Sequence, residues 1–283
     1  MTTQQYWIAG LAAAASLVAG CGEAGPARGS PEWYLEAAMA SYAEGDFTAA
    51  LADLEYVSDG EGEAAARTGV LTGVLTAGLA RANMKVADAL RAGVEENVDL
   101  LPLVREPLQV TDRAARQDII SFVEGLGKFK TALGTGDVTL DFEFPPGNRE
   151  ESTAMNSLMK GEEISGAQLA AGIRDLQQLG VVQTVSLAAG MGDDYAAAQA
   201  KFDAGPVTVP GDRFQLIVAG FLVEMSGLFT QKKLNEPKVR DIVIQRGEEW
   251  IASGLESEDA EIKARAEELK ADFENERIDM KGG

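Results

Sequence analysis

Apolar residues recur every three or four positions along most of this chain, the interval that lines one face of an α-helix. Residues 32–58, EWYLEAAMASYAEGDFTAALADLEYVS, split at Gly45-Asp46 into two such stretches and predict a helical hairpin. Residues 63–96 predict one or two long helices with a stripe through Val70, Val74, Leu75, Gly78, Leu79, Ala82 and Val86. The small residues Gly69, Gly73, Ala77 and Gly78 predict close contact with a second helix. Arg67, Arg81 and Lys85 interrupt the segment and argue against a lipid-facing small-residue dimer. Pro102 and Pro107 are expected to break the next stretch, because proline has no amide proton and its ring crowds the preceding turn. A further helix is predicted over 111–133, with Ala115, Ile119, Phe122, Val123, Leu126, Phe129 and Leu133 toward the core.

The period changes at 134–148. GTGDVTLDFEFPPGN alternates strictly, with Val138, Leu140, Phe142 and Phe144 on one side and Thr139, Asp141 and Glu143 on the other, between Gly and Pro turns. That is a strand pattern. A strand needs a partner, and the candidates are PVTVPG at 206–211 and VVQTVSL at 181–187; the alternative is an extended loop laid over helices. Helical spacing resumes over about 151–164, 165–190 and 193–204. The most apolar stretch after residue 20, RFQLIVAGFLVEMSGLF at 213–229, contains Arg213, Gln215 and Glu224 and predicts a core helix rather than a membrane span. A helix over 237–254 opens at Pro237 and carries Trp250. The last, at about 258–278, has a narrow stripe of Ile262, Ala266, Leu269 and Phe273, with Glu261 and Arg265 spaced as an i, i+4 pair.

The beginning of the chain changes the picture. Residues 8–20, IAGLAAAASLVAG, are apolar but too short for a comfortable span, and they end at Cys21, the sole cysteine in 283 residues. Val18-Ala19-Gly20-Cys21 resembles the lipobox of bacterial lipoproteins, in which an aliphatic residue and two small residues precede a cysteine that is acylated and becomes the mature N-terminus. The segment MTTQQYW before it lacks the Lys or Arg of that family's pattern. The resemblance implies a signal peptide over 1–20, lipidation of Cys21 and a flexible Gly/Pro/Ser/Ala tether over 21–31. Gly22 implies an outer-membrane address on the periplasmic face, or the outer face of the plasma membrane if the source has a single membrane.

Residues 32–58 resemble a tetratricopeptide (TPR) repeat. Tyr34 takes the large aromatic position of the first helix and Ala38 its small one, Gly45-Asp46-Phe47 the turn, and Ala50 the small position of the second helix, with Leu51 and Leu54 beside it. Ser41 and Ala37 depart from the pattern, and no proline closes the unit. The expected fold is all-α: a TPR-like helical hairpin array (α-solenoid or irregular bundle) with one short strand or extended insert near 137–144. The expected division is a TPR-like helical region over 32–133, the insert over 134–150, and a C-terminal helical region over 151–283 packed on the first.

Charge and missing residue types narrow the function. With 45 acidic and 25 basic residues the chain carries a formal charge of −20, which argues against nucleic acid and against adsorption on anionic lipid. It has no histidine, and its one cysteine is assigned to the anchor, which removes the usual general base, thiol catalysis and zinc–thiolate sites. No phosphate-cradling or nucleophile-elbow motif occurs, and Gly134-Thr135-Gly136 and Gly190-Met191-Gly192 read as loop glycines. Asp193 is expected to cap a helix rather than begin a calcium loop. Three Trp and five Tyr, one of each before Cys21, leave little for sugar stacking by a carboxylate-pair glycosidase.

The expectation is therefore a binding module and not an enzyme, with no cofactor and no metal. It is tethered to a membrane by lipid and acts as an adaptor for an unidentified protein partner. The alternative is an accessory lipoprotein for a small or apolar ligand, similar in general design to the T-components of TRAP transporters, with the 214–229 helix lining its pocket. A carboxylate hydrolase would instead require a buried Asp or Glu pair in a cleft.

Overall fold

The computed structural model describes residues 26–58, 63–133 and 136–281. Cys21 and the segment before it lie outside the described residues. The described residues form ten α-helices and one two-stranded sheet. The first two helices, α1 (Pro31–Ala43) and α2 (Phe47–Ser58), make the expected hairpin. Ser30 accepts the Trp33 amide at 3.2 Å to cap α1, and Asp46 accepts the Ala49 amide at 3.0 Å to cap α2. Gly45 turns the chain with φ of +78°, in the left-handed region that favours glycine. Ala38, Ala50 and Leu54 are fully buried between the helices, with Tyr42 and Phe47 beside them.

α3 (Glu63–Glu96) is one continuous helix and the axis of the molecule, packing on α2, on α4 (Leu101–Leu133), on α5 (Thr153–Met159) and on α6 (Gly166–Ala188). Its stripe is buried from Leu71 to Leu90. The close contact expected at Gly78 is made with α6, where a Cβ on Gly78 would stand 3.1 Å from the Val181 Cα.

α4 does not wait for Thr111. It begins directly after a 3₁₀ turn at Val98–Leu100 and runs unbroken to Leu133. Pro102 sits in the first turn, where an amide proton would have no intrahelical acceptor. Pro107 does forfeit a bond within the helix. It stands in a largely exposed stretch where water can take the orphaned carbonyl, while buried Leu100 and Val104 hold the turn. Further on, Ala115, Ile119, Phe122 and Leu126 are buried as expected and Val123 packs against them; the side chains of Phe129 and Leu133 lie outside the described residues.

The alternating segment forms a strand of three residues, β1 (Val138–Leu140). It pairs antiparallel with β2 (Val207–Val209) in the register Val138↔Val209, Thr139↔Thr208 and Leu140↔Val207. The other candidate partner, 181–187, is helical, the buried second half of α6, which opens with a capping box between Ser165 and Gln168. After Leu140 the insert continues as extended chain held by its neighbours. Tyr42 donates to the Glu143 carbonyl at 2.7 Å, and the Asn148 amide donates to Gln178 Oε1 at 3.1 Å. Phe142 stacks on Phe202 with centroids 5.5 Å apart. Arg149 lies 5.2 Å over the Phe144 ring and donates to Gln199 at 2.7 Å. The insert thus ties α1 and α6 to α7 (Tyr195–Asp203).

α8 (Gly211–Ser226), α9 (Pro237–Leu255) and α10 (Ala260–Lys281) pack on one another at the C-terminal end. No helix among the described residues is long and apolar enough to cross a membrane. The expected stripe Ile262, Ala266, Leu269 and Phe273 of α10 is buried. Its expected internal pair is not made. Glu261 reaches across to Arg213 of α8 at 3.0 Å, and Arg265 pairs with Glu268, because α8 lies within reach of the first turn of α10.

Candidate functional site

One face of α8 borders a cleft of about 550 Å³. Arg213, Leu216, Ile217, Gly220, Phe221 and Glu224 line it, at intervals of three or four that put them on one side of the helix. The first turns of α10 supply Glu261, Ile262 and Arg265, the end of the short sheet supplies Thr208, Val209 and Pro210, and α7 supplies Lys201. Leu187, Ala189, Gly190 and Gly192 close one side, and Arg81 of α3 reaches in from below. The 214–229 helix therefore does two jobs. Phe214, Val218, Leu222 and Met225 are core, whereas Ile217, Gly220 and Glu224 face the opening.

Arg81 is held on every side. Its Nε donates to Glu224 Oε2 at 2.7 Å, its Nη1 donates to Thr184 Oγ1 at 2.7 Å, and its guanidinium lies 5.0 Å over the Phe221 ring. Thr184 in turn donates to the Gly180 carbonyl one helical turn back at 2.8 Å. Such a braced, largely buried cation presents a fixed plane rather than a mobile chain. One turn along α3, Lys85 donates to Gln183. Burial lowers its pKa, and the neighbouring Arg81 charge adds to the effect.

The loop on the far side is equally fixed. Gly190 and Gly192 have positive φ, and Ser186 donates to the Gly192 carbonyl at 2.6 Å. The cap of α7 is Asp194, which accepts the Ala197 amide at 2.9 Å, and not Asp193; the two acids are adjacent, and the helix begins one residue later than the sequence pattern indicated.

Four cationic side chains, Arg81, Lys201, Arg213 and Arg265, stand around this cleft against two carboxylates, Glu224 and Glu261. That is a local positive excess in a chain whose total is −20. Each carboxylate is already engaged, Glu224 by Arg81 and Glu261 by Arg213. Asp137, Asp141 and Glu143 are exposed along the insert and do not line the cleft. No cluster of three potential metal ligands occurs among the described residues.

One carboxylate elsewhere has a raised pKa. Burial pushes Asp118 of α4 up to about 6, against the opposing hydrogen bond from Asn83 Nδ2 at 2.9 Å, and Glu55 adds to the rise. Gln177 Nε2 donates to Asn83 Oδ1 at 2.9 Å, so α4, α3 and α6 are joined by one polar chain. The group hydrogen-bonded to Asp118 is the Asn83 amide, and Asp118 does not line the cleft.

Sequence reasoning marked Arg81, Arg213 and Glu224 only as interruptions of apolar stretches and did not mark Lys201 or Arg265 as a site. The usable signal was the interruption itself. A charge retained inside the most apolar helix pattern marks the face that is not core. Comparison of the chain with family models, with characterised proteins and with solved structures found no match.

Proposed function

We propose that this chain is a membrane-tethered, non-catalytic binding protein whose cleft along α8 takes up a small ligand. The observation that carries the reading is the split character of α8, which leaves Ile217, Gly220 and Phe221 lining a cleft of about 550 Å³, a volume in the range of small-molecule sites. Convergent polar groups on an otherwise apolar wall are the common composition of such sites. The lipobox-like Val18-Ala19-Gly20-Cys21 supports the tether and an outer-membrane, periplasm-facing location. The general design is similar to that of TRAP-transporter T-components.

The test is a thermal-shift screen of small molecules against the wild type and Gly220→Leu. The leucine adds bulk at a lining position without changing charge, toward Arg265 and Leu269, whose nearest atoms stand 3.8 and 3.9 Å from a Cβ there. Compounds that stabilise the wild type and not the variant support the reading. Compounds that stabilise both equally place binding elsewhere and sink it.

A second reading, the protein adaptor built on a TPR-like hairpin, is favoured by one surface feature. Tyr56 is 66% exposed and stacks on Tyr34 at 4.5 Å, with Trp33 edge-on to Tyr34 at 5.0 Å. Aromatic residues dominate binding energy at protein interfaces. In-cell crosslinking from position 56 that captures one partner in near-stoichiometric amount supports the adaptor, and recovery of only abundant bystanders counts against it.

A further inference from the structure

We infer that the ligand of the α8 cleft is a single-chain amphiphile with an anionic head; this rests on the reading of the cleft as a ligand site. Two observations point to the charge. Both carboxylates that line the cleft are engaged by arginines, Glu224 by Arg81 and Glu261 by Arg213. Two other lining cations, on α7 and α10, have donors to spare. Lys201 is exposed and makes no salt bridge among the described residues. Arg265 uses Nη1 for Glu268 and keeps Nη2 over α8, 3.8 Å from where a Cβ on Gly220 would stand. A carboxylate or a phosphate monoester entering the cleft meets two cationic donors and no unengaged acid. A ligand cation meets the same two positive charges and no unengaged acid.

The tail follows from the apolar lining. Leu216, Phe221 and Ile262 are nearly buried, and partly buried Ile217 and Leu187 extend the same surface, so an alkyl chain there replaces water on apolar atoms. From Arg213 to Glu224 the lined face of α8 spans about 16 Å, at 1.5 Å rise per residue. A lined face of that length can run alongside an extended chain, which suits an alkyl tail better than a compact polyanion. The overall charge of −20 repels an anion at long range, but at physiological salt that repulsion is screened beyond about 8 Å, leaving the local cations to act.

The purified full chain is titrated calorimetrically with dodecanoate, dodecyl phosphate, dodecanol, dodecyltrimethylammonium and citrate, each below its aggregation threshold. The expected order puts dodecanoate or dodecyl phosphate at least about tenfold tighter than dodecanol, with dodecyltrimethylammonium and citrate weakest. Preference between carboxylate and phosphate then separates a free fatty-acid type of ligand from a phosphorylated lipid head. The double variant Lys201→Gln, Arg265→Gln should bring the anion down to the dodecanol level and leave dodecanol unchanged. Because both positions are surface side chains, the variant is expected to fold, and raised salt on the wild type is an independent check that should weaken the anion alone. Equal affinity for dodecanol and dodecanoate, or insensitivity to the double variant and to salt, overturns the inference while leaving the ligand-site reading intact. So does failure of every amphiphile when other compounds still lose binding in Gly220→Leu. If no compound of any kind depends on position 220, it is the ligand-site reading that fails.

Discussion

Gly180 of α6 lies so close to Ala82 of α3 that a methyl group placed on it would stand 2.5 Å from the Ala82 Cβ and 2.7 Å from its Cα. These are backbone-proximal atoms and cannot swing aside, so the distance between α3 and α6 is set by the absence of a side chain. Gly180→Ala should therefore force α3 and α6 apart and lower stability by about 1–3 kcal/mol. Gly125→Ala, in α4 with nothing within 4 Å of the new methyl, should raise stability by up to about 1 kcal/mol through helix propensity alone. Urea unfolding of the two variants, each compared with wild type, checks both signs.

The packing of α10 on α9 has a similar key. A Cβ on Gly247 would stand 2.0 Å from the tip of the Phe273 ring, which is fully buried. Phe273→Ala is expected to cost about 3–5 kcal/mol from the cavity it leaves, and Gly247→Ala about 1–3 kcal/mol from the clash. In the double variant Gly247→Ala, Phe273→Leu the shorter side chain makes room for the methyl. Its loss should be smaller than the sum of Gly247→Ala and Phe273→Leu measured singly, and strict additivity would show that the contact is not what holds these helices.

Arg240 of α9 is 3% exposed, donates to Glu276 of α10, and has a buried Nε with no partner. Ser226 also donates to Glu276, at 2.9 Å. Removing only the acid strands a buried cation, so Glu276→Ala should cost about 3–5 kcal/mol. Arg240→Met removes the charge and the orphaned Nε together and should cost clearly less. Denaturant melts decide the order, and the reverse order would mean that the Arg240 site is wetter than its burial indicates.

Asp118 makes stability depend on pH in a stated direction. Its folded pKa of about 6 lies above the ordinary value of 3.8, so the native state favours its protonated form. The associated stability is fully present below about pH 4 and is lost as pH rises through about 6. Asp118→Asn keeps an acceptor for Asn83 and has no charge to bury. Relative to wild type it should gain on the order of 1–2 kcal/mol at pH 8 and little at pH 4. Equal effects at the two pH values would show that Asp118 is solvated.

Cys21→Ser tests the tether separately from the cleft. The substituted chain is expected in the soluble fraction and without incorporated palmitate, where wild type fractionates with membranes and takes up the label. Membrane association that survives the substitution would rule out the lipid anchor.

The all-α class, the hairpin at 32–58, the two-residue alternation of the insert and the narrow stripe of α10 were legible in the sequence because each is a local periodicity. It can be read from residues a few positions apart. Val138 and Leu140 announced a strand in this way, but which distant segment would pair with them was left between two candidates. Only the tertiary arrangement chose 207–209, since the 181–187 run is consumed in the helix that packs on α3. The proline break failed for the same reason. Pro107 weighs against a helix locally, and the burial of Leu100 and Val104 on either side of the first turn outweighs it.

The cleft was beyond local reading altogether. Arg81 and Glu224 are 143 residues apart, and Arg213 and Glu261 are 48 apart. Sequence spacing decides which residues share a face of one helix. Whether a charge on that face meets solvent, an ion pair or a cleft is decided by which other helix comes to lie opposite it, and that is a property of the packed chain.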